Sequence, residues 1–209
     1  MLKRSLLILA LALCPLGALA QVNVVPQVGL NTANLRQNTY TAAIKGIIPA
    51  ASATDFFCIN GSATKKVRIN RIELSGSGTA IAMPVYLNHN TALDTGTRAV
   101  AATYGPIPYP LNAAEPAATA TVIAYNTTGG NPTIGGTATL LRSGNLAVQA
   151  TTVGSPVDRL VWVFGSSSEQ YNARLGIEVL ATPVEQYCLN LAATSPTAVL
   201  EGYIEWIEE

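Results

Sequence analysis

From residue 39 onward, apolar and polar residues alternate in short runs with a period of two. That is the spacing of strands with one covered face, not the 3.6-residue spacing of helices. Phe57 and Ile59 flank Cys58, and past the turn-favouring pair Asn60-Gly61 the run resumes as Val67-Arg68-Ile69, which predicts a hairpin. The apolar phase then slips: Val67 and Ile69 share one face, Ile72 and Leu74 the other, so a β-bulge is expected at Asn70-Arg71. Ser75-Gly76-Ser77-Gly78 predicts a turn into the alternating run Ile81, Met83, Val85, Leu87. Pro84 in that run lacks an amide hydrogen and predicts a sheet edge.

Asn88 to Asn112 reads as a long surface loop holding a Pro-rich stretch, Tyr104 to Pro110. Ala113 to Tyr125 supports two readings, a short helix started by Pro116 or a strand through Thr119, Thr121 and Ile123. Leu160 to Phe164 predicts a buried strand, and Leu175, Ile177 and Val179 predict one with a wet face. Tyr203 to Ile207 predicts a final strand tied into a sheet. About eight to ten strands with regular turn signals predict an all-β fold, an antiparallel β-sandwich of jelly-roll type.

Ahead of this, residues 1–20 read as a cleavable signal helix: Lys3 and Arg4 precede an apolar run, Leu6 to Leu13, and Ala18-Leu19-Ala20 is a small-x-small cleavage site. The run is far short of the roughly 20 residues that span a bilayer. Cys14 does not suit lipidation, because bulky Leu13 precedes it and Pro15 follows. Residues 21–38, broken by Pro26 and Gly29, read as a flexible arm, and residues 39–209 as the sandwich. The expected location is secreted, periplasmic or cell-surface.

Composition changes the picture in two ways. Only 11% of residues are charged, against about a quarter in ordinary domains, so the surface must consist largely of hydroxyls, amides and small side chains. Without Lys3 and Arg4 the twelve basic residues fall to ten against twelve acidic ones, which excludes nucleic acid as a partner. The one basic cluster, Lys65-Lys66-Val67-Arg68 with Arg71, alternates as a wet strand face would.

Cys58 and Cys188 are an even pair in an exported chain, and two readings stay open. A disulfide would close a loop of more than a hundred residues and contribute about 4 to 5 kcal/mol in the chain-entropy model. Alternatively, both are buried free thiols acting as small hydrophobes.

No pattern points to catalysis. The single histidine, His89, lies among polar residues and reads as a solvated loop side chain, and two cysteines with one histidine are too few for a zinc site of the usual spacing. Glu205, Glu208 and Glu209 read as an alternating strand fraying into solvent rather than a glycosidase pair. Ile134-Gly135-Gly136 matches no phosphate-binding loop, so no cofactor is expected. The candidate binding residues are Tyr104 and Tyr109, whose rings either stack on sugars or another protein or pack down over one end of the sandwich.

The segment FFCINGSATKKVRINRIELSG (Phe56 to Gly76), together with NPTIG at Asn131, DRLVWVFG at Asp158 and YIEWIEE at Tyr203, resembles a group of uncharacterised proteins associated with phages and prophages. The resemblance implies an accessory structural protein of a virion and transfers no functional residues. The signal segment departs from that group and favours a bacterial cell-surface or extracellular assembly. The expectation is a non-enzymatic module that associates with itself, as a trimer. The rival is a carbohydrate-binding or adhesive module with surface glycans or other assembly subunits as partners.

Overall fold

The alternating runs form strands because each can place its branched and aromatic side chains on one covered face. The computed structural model describes residues 38–49, 53–79, 81–97, 106–126, 131–148, 150, 158–165, 176–182, 184–191 and 198–209. The segment read as a signal, the arm through residue 37 and Tyr104 lie outside them. Every regular element among the described residues is a strand. They are β1 (Asn38–Ile47), β2 (Thr54–Asn60), β3 (Val67–Ser77), β4 (Ile81–Asn90), β5 (Tyr109–Pro110), β6 (Thr121–Ala124), β7 (Ala138–Val148), β8 (Arg159–Val163), β9 (Ile177–Val179), β10 (Gln186–Leu191) and β11 (Val199–Glu208).

Two antiparallel sheets result. The first has the order β5-β1-β11-β3-β8, with β9 pairing on another stretch of β3, and the second the order β6-β2-β10-β4-β7. Their inner faces share one apolar interior. The first sheet contributes Tyr40, Ile72, Leu74, Leu200, Ile204 and Trp206, and the second Phe57, Ile59, Val85, Leu87, Leu146 and Leu189. The Tyr40 and Trp206 rings stack at 5.8 Å between neighbouring strands.

The expected bulge is present: Glu205 pairs with Arg71 but Trp206 with Ile69, leaving Asn70 as the extra residue. Its carbonyl, freed from the ladder, accepts the amides of Phe164 (2.8 Å) and Gly165 (3.3 Å). The bulge restores Val67 and Ile69 to the same interior as Ile72 and Leu74.

Other expectations are corrected. Asn60-Gly61 does not close a hairpin, because β2 and β3 lie in different sheets and the chain crosses between them. The turn expected at Ser75 begins later, since β3 runs through Ser77. β4 is an interior strand despite Pro84; β10 reaches only to Val85, so Pro84 faces a paired strand on the β7 side alone. Within the expected loop after Asn88, β4 continues to Asn90, and Tyr109–Pro110 joins β1 as a short edge strand. Between 113 and 125 the strand reading holds for Thr121–Ala124. β8 is half-exposed rather than buried: Trp162 and the following Phe164 are buried, Leu160 packs against the interior only partly buried, and the alternate residues face out.

Glu208 is the clearest miss. It does not fray into solvent: it is buried and accepts hydrogen bonds from Thr119 N (2.9 Å), Thr119 Oγ1 (2.6 Å), Ala120 N (2.9 Å) and Trp206 Nε1 (3.0 Å). These tie the segment before β6 to the end of β11. Burial alone would raise its pKa, but the hydrogen bonds from Thr119, Trp206 and Ala120 outweigh it and hold the carboxyl below its ordinary range.

Glu208→Ala leaves the buried N–H donors of Ala120 and Trp206, and the partly buried one of Thr119, without an acceptor and should cost about 3 kcal/mol in urea unfolding. Because the folded-state pKa is lowered, the ionised carboxylate's contribution is fully present above the unfolded value of about 4.3 and is lost as pH falls through the folded one. Glu208→Gln should flatten the acid limb of the stability curve, and an unchanged acid limb would contradict this role.

Candidate functional site

Three surfaces of the sandwich differ in kind, and each follows from what covers it. The lateral edges are the least covered. β5 and β6 lie at one edge, where β6 approaches β1, and β8 and β7 lie together at the other. There β7 approaches closely at Gly144, where an added Cβ would meet the Leu160 side chain at 2.6 Å, and the Arg142 guanidinium lies 4.7 Å from the Phe164 ring centre. Alternation along β8 turns Trp162 inward and leaves Val161 and Val163 facing out.

Among the described residues, the large apolar side chains that are more than half exposed fall at these two edges: Ile107, Tyr109 and Leu111 around β5, and Leu140 and Val163 on β7 and β8. Leu141 and Val161 extend the second group. Tyr109 therefore does not pack down over the sandwich: β5 pairs only with Tyr40 and Thr41 of β1, and among the described residues no further strand covers β5. Edge strands also leave unpaired backbone donors and acceptors, the usual template for strand association.

The outer face of the first sheet is wet and charged. Glu73 accepts hydrogen bonds from Arg71 (2.7 Å), Arg159 (2.7 Å) and Tyr203 (3.0 Å). Burial pushes its pKa up, but the hydrogen bonds from Tyr203 and Arg71 and the charge of Arg159 prevail and lower it. Lys66 and Arg68 pair with Glu178, at 3.7 and 2.9 Å, so the basic cluster spends its charge on neighbouring strands.

The outer face of the second sheet is instead covered, by residues 91–97 and 131–137. Thr95 and Thr133 bridge these two segments through paired backbone hydrogen bonds of 3.0 and 2.7 Å. Gly135 permits the approach: a Cβ there would collide with the carbonyl oxygens of Ala92 and Leu93.

Beneath this cover Cys58 and Cys188, directly opposite one another on β2 and β10, form a disulfide with Cα atoms 4.1 Å apart. With Ile123 and Tyr125 they make a small apolar cluster separate from the main interior. Beside it lie two buried carboxyls, Asp55 and Asp94. Asn90 Nδ2 donates to Asp55 Oδ2 (2.8 Å) and Asp94 Oδ1 (3.1 Å), Asn190 Nδ2 to Asp55 Oδ1 (2.6 Å), and Gly135 N to Asp94 Oδ1 (2.9 Å). Burial, and next the negative charge of Asp55, raise the Asp94 pKa well above the ordinary carboxyl range, against the opposing hydrogen bond from Gly135 N.

Among the sequence-predicted residues, the fold therefore joins Cys58 to Cys188, places Tyr109 at an open edge, and brings neither cysteine near that tyrosine's strand. Sequence reasoning missed Asp55, Asn90 and Asp94. Their one signal was an acidic residue before Phe56-Phe57, at the start of an apolar run. His89 is also corrected: it sits in β4 rather than a loop, its ring 4.9 Å from that of Tyr187 and its Nε2 3.1 Å from Glu185 Oε1. Burial, then Glu185 and Glu178, push the Tyr187 phenol up to about 12, so it stays protonated at neutral pH.

Comparison with protein-family models, with curated proteins and with solved structures finds no match for this chain. Among the described residues no helix is long and apolar enough to cross a membrane, and the buried disulfide suits an oxidising environment.

The disulfide links residues 130 apart in sequence, so the double variant Cys58→Ser, Cys188→Ser should lower unfolding stability by about 2 to 5 kcal/mol. Urea denaturation of both forms checks this. Non-reducing peptide mapping that returns the two cysteines unlinked would remove the basis for it.

Proposed function

We propose that this chain is a non-enzymatic structural module that associates with itself in an exported assembly. The observation that carries the reading is the confinement of the most exposed apolar side chains to opposite edges of one sandwich. Apolar groups of this size left in water favour burial against a partner. Because the two groups lie on opposite sides, pairing one with the other is a heterologous contact. Such contacts close into rings when the rotation between copies closes, a trimer being the smallest, and run on as filaments when it does not; we take the closed trimer as the unit.

The strand order supports a jelly-roll arrangement. The chain passes from β1 through β4 by changing sheet at every step and does so again between β10 and β11, so that β1-β11-β3-β8 faces β2-β10-β4-β7. Jelly rolls serve both as capsid subunits and as lectins. The first use agrees with the resemblance to phage-associated proteins. The signal-like residues 1–20 and the disulfide favour assembly outside the cytoplasm, on a bacterial surface or in an extracellular structure.

A second reading, a carbohydrate-binding or adhesive module, draws on the exposed ring of Tyr109, an aromatic face free to stack on a sugar.

Size-exclusion chromatography with light scattering should find an oligomer. Leu140→Glu on one edge and Tyr109→Glu on the other should each, alone, reduce it to single chains, as a heterologous contact requires. Sensitivity at only one edge would indicate a two-fold dimer instead. A strict monomer that binds on a glycan array, and loses that binding in Tyr109→Ala, would replace the assembly reading with the adhesive one.

A further inference from the structure

The pocket beneath residues 91–97 and 131–137 contains more chemistry than a disulfide needs. Asp55, Cys58, Asp94 and Cys188 each turn one potential ligand atom toward the others, all within 4.8 Å of one another and all buried. Two adjacent buried carboxyls need a compensating positive charge, either a shared proton or a cation. The ion pairs of the described residues engage Glu73, Glu178, Glu185 and Glu209, and neither aspartate has one.

Two details of the cluster suit a metal ligand set. Asp94 Oδ2 lies 3.7 Å from both Sγ atoms, and disulfide sulfurs carry no hydrogen to donate to it. Tetrahedral zinc with Zn–S about 2.3 Å and Zn–O about 2.1 Å sets the S···O edge at about 3.6 Å, so this oxygen already stands where a third ligand belongs. In addition, the fully buried Asn90, whose Nδ2 is 3.6 Å from Cys188 Sγ, leaves its Oδ1 without a partner. Turning that amide over would direct an oxygen into the same space.

We propose that, when a thiol-class reductant opens the Cys58–Cys188 bond, Cys58, Cys188, Asp94 and Asp55 form a site for one zinc-class divalent cation. Reduction transfers two electrons and two protons from two reductant thiols, which leave joined as their own disulfide, while Cys58 and Cys188 become thiols. Binding the cation releases both thiol protons, together with the proton held between Asp94 and Asp55, to solvent and leaves two thiolates and two carboxylates around it. This donor set, two sulfurs and two oxygens in a closed pocket, suits a tetrahedral structural site. The sulfurs need only part within the same cross-strand pair, so the strand register is kept. In the oxidised form the bond occupies the sulfur lone pairs' common space and the cation is excluded. The pocket thus holds β2, β10 and the covering segments together by a covalent bond in one redox state and by a metal in the other.

The test uses the full chain, reduced with a phosphine that does not itself compete for metal, and Co2+ alone as probe. The phosphine takes up oxygen from water, whose hydrogens supply the two thiol protons. The reduced protein should bind one Co2+ per chain with a thiolate-to-cobalt charge-transfer band that Zn2+ abolishes, and the oxidised protein should show no band. Asp94→Asn, in the reduced form, should weaken Co2+ binding at least about tenfold while near-ultraviolet circular dichroism stays native. Absence of the band in folded reduced protein overturns the site, and so does equal affinity in Asp94→Asn, which would mean two free thiols acting without the pocket. If reduction unfolds the chain, Zn2+ should restore the native spectrum and raise the urea midpoint of the reduced protein. A reduced chain indifferent to Zn2+ sinks the proposal.

Discussion

The structure depends on the mutual burial of two sheet faces whose middle strands come last in the chain. β10 lies between β2 and β4 in one sheet, and β11 between β1 and β3 in the other. Neither inner face is continuous until these consecutive strands enter opposite sheets, so the apolar interior consists of contacts between residues distant in sequence. Trp206 meeting Tyr40, and Leu189 meeting both Phe57 and Leu87, are examples. Such non-local pairing is the costly kind, because loop closure must precede any gain from contact. The cross-strand link between β2 and β10 and the donors gathered on Glu208 both act on these late strands, which accounts for where the chain spends its covalent bond and its buried carboxylate.

Once the two inner faces are joined, the remaining surfaces differ by what is left to cover them. The first sheet's outer face has no covering segment among the described residues and satisfies its charges in place, with Glu73 and Glu178 gathering arginines and Lys66. The second sheet's outer face is roofed over, so its polar groups turn to one another: asparagine amides donate to the buried aspartates. The edges receive neither treatment. Apolar side chains remain there because short β5 and half-exposed β8 end their sheet with no further strand among the described residues. The exposed apolar edges and the buried cluster of carboxyls and sulfurs under the roof are therefore separate features of one sandwich.

The amino-acid pattern alone determined several of the strands, though not β5, β7 or β10, and even a local irregularity. Period-two alternation identified β3, β4 and β11, and the phase slip at Asn70-Arg71 located the bulge to the residue, because side-chain direction is a local consequence of backbone pleat. What it could not determine was partnership. Asn60-Gly61 looks like a hairpin whether the next strand lies beside β2 or across the interior, and Pro84 reads as an edge signal because the length of β10, which spares it, is not written near it. The cysteine pairing remained open in sequence for the same reason: only the register of β2 against β10 places Cys58 opposite Cys188. Asp55, Asn90 and Asp94 belong to segments 35 or more residues apart or to one strand and its following loop, and they acquire a common environment only under the roof. Local alternation is set by each residue's own neighbours along the chain, whereas burial, pairing and the meeting of carboxyls with sulfur are set by which distant segments the two sheets bring to the same place.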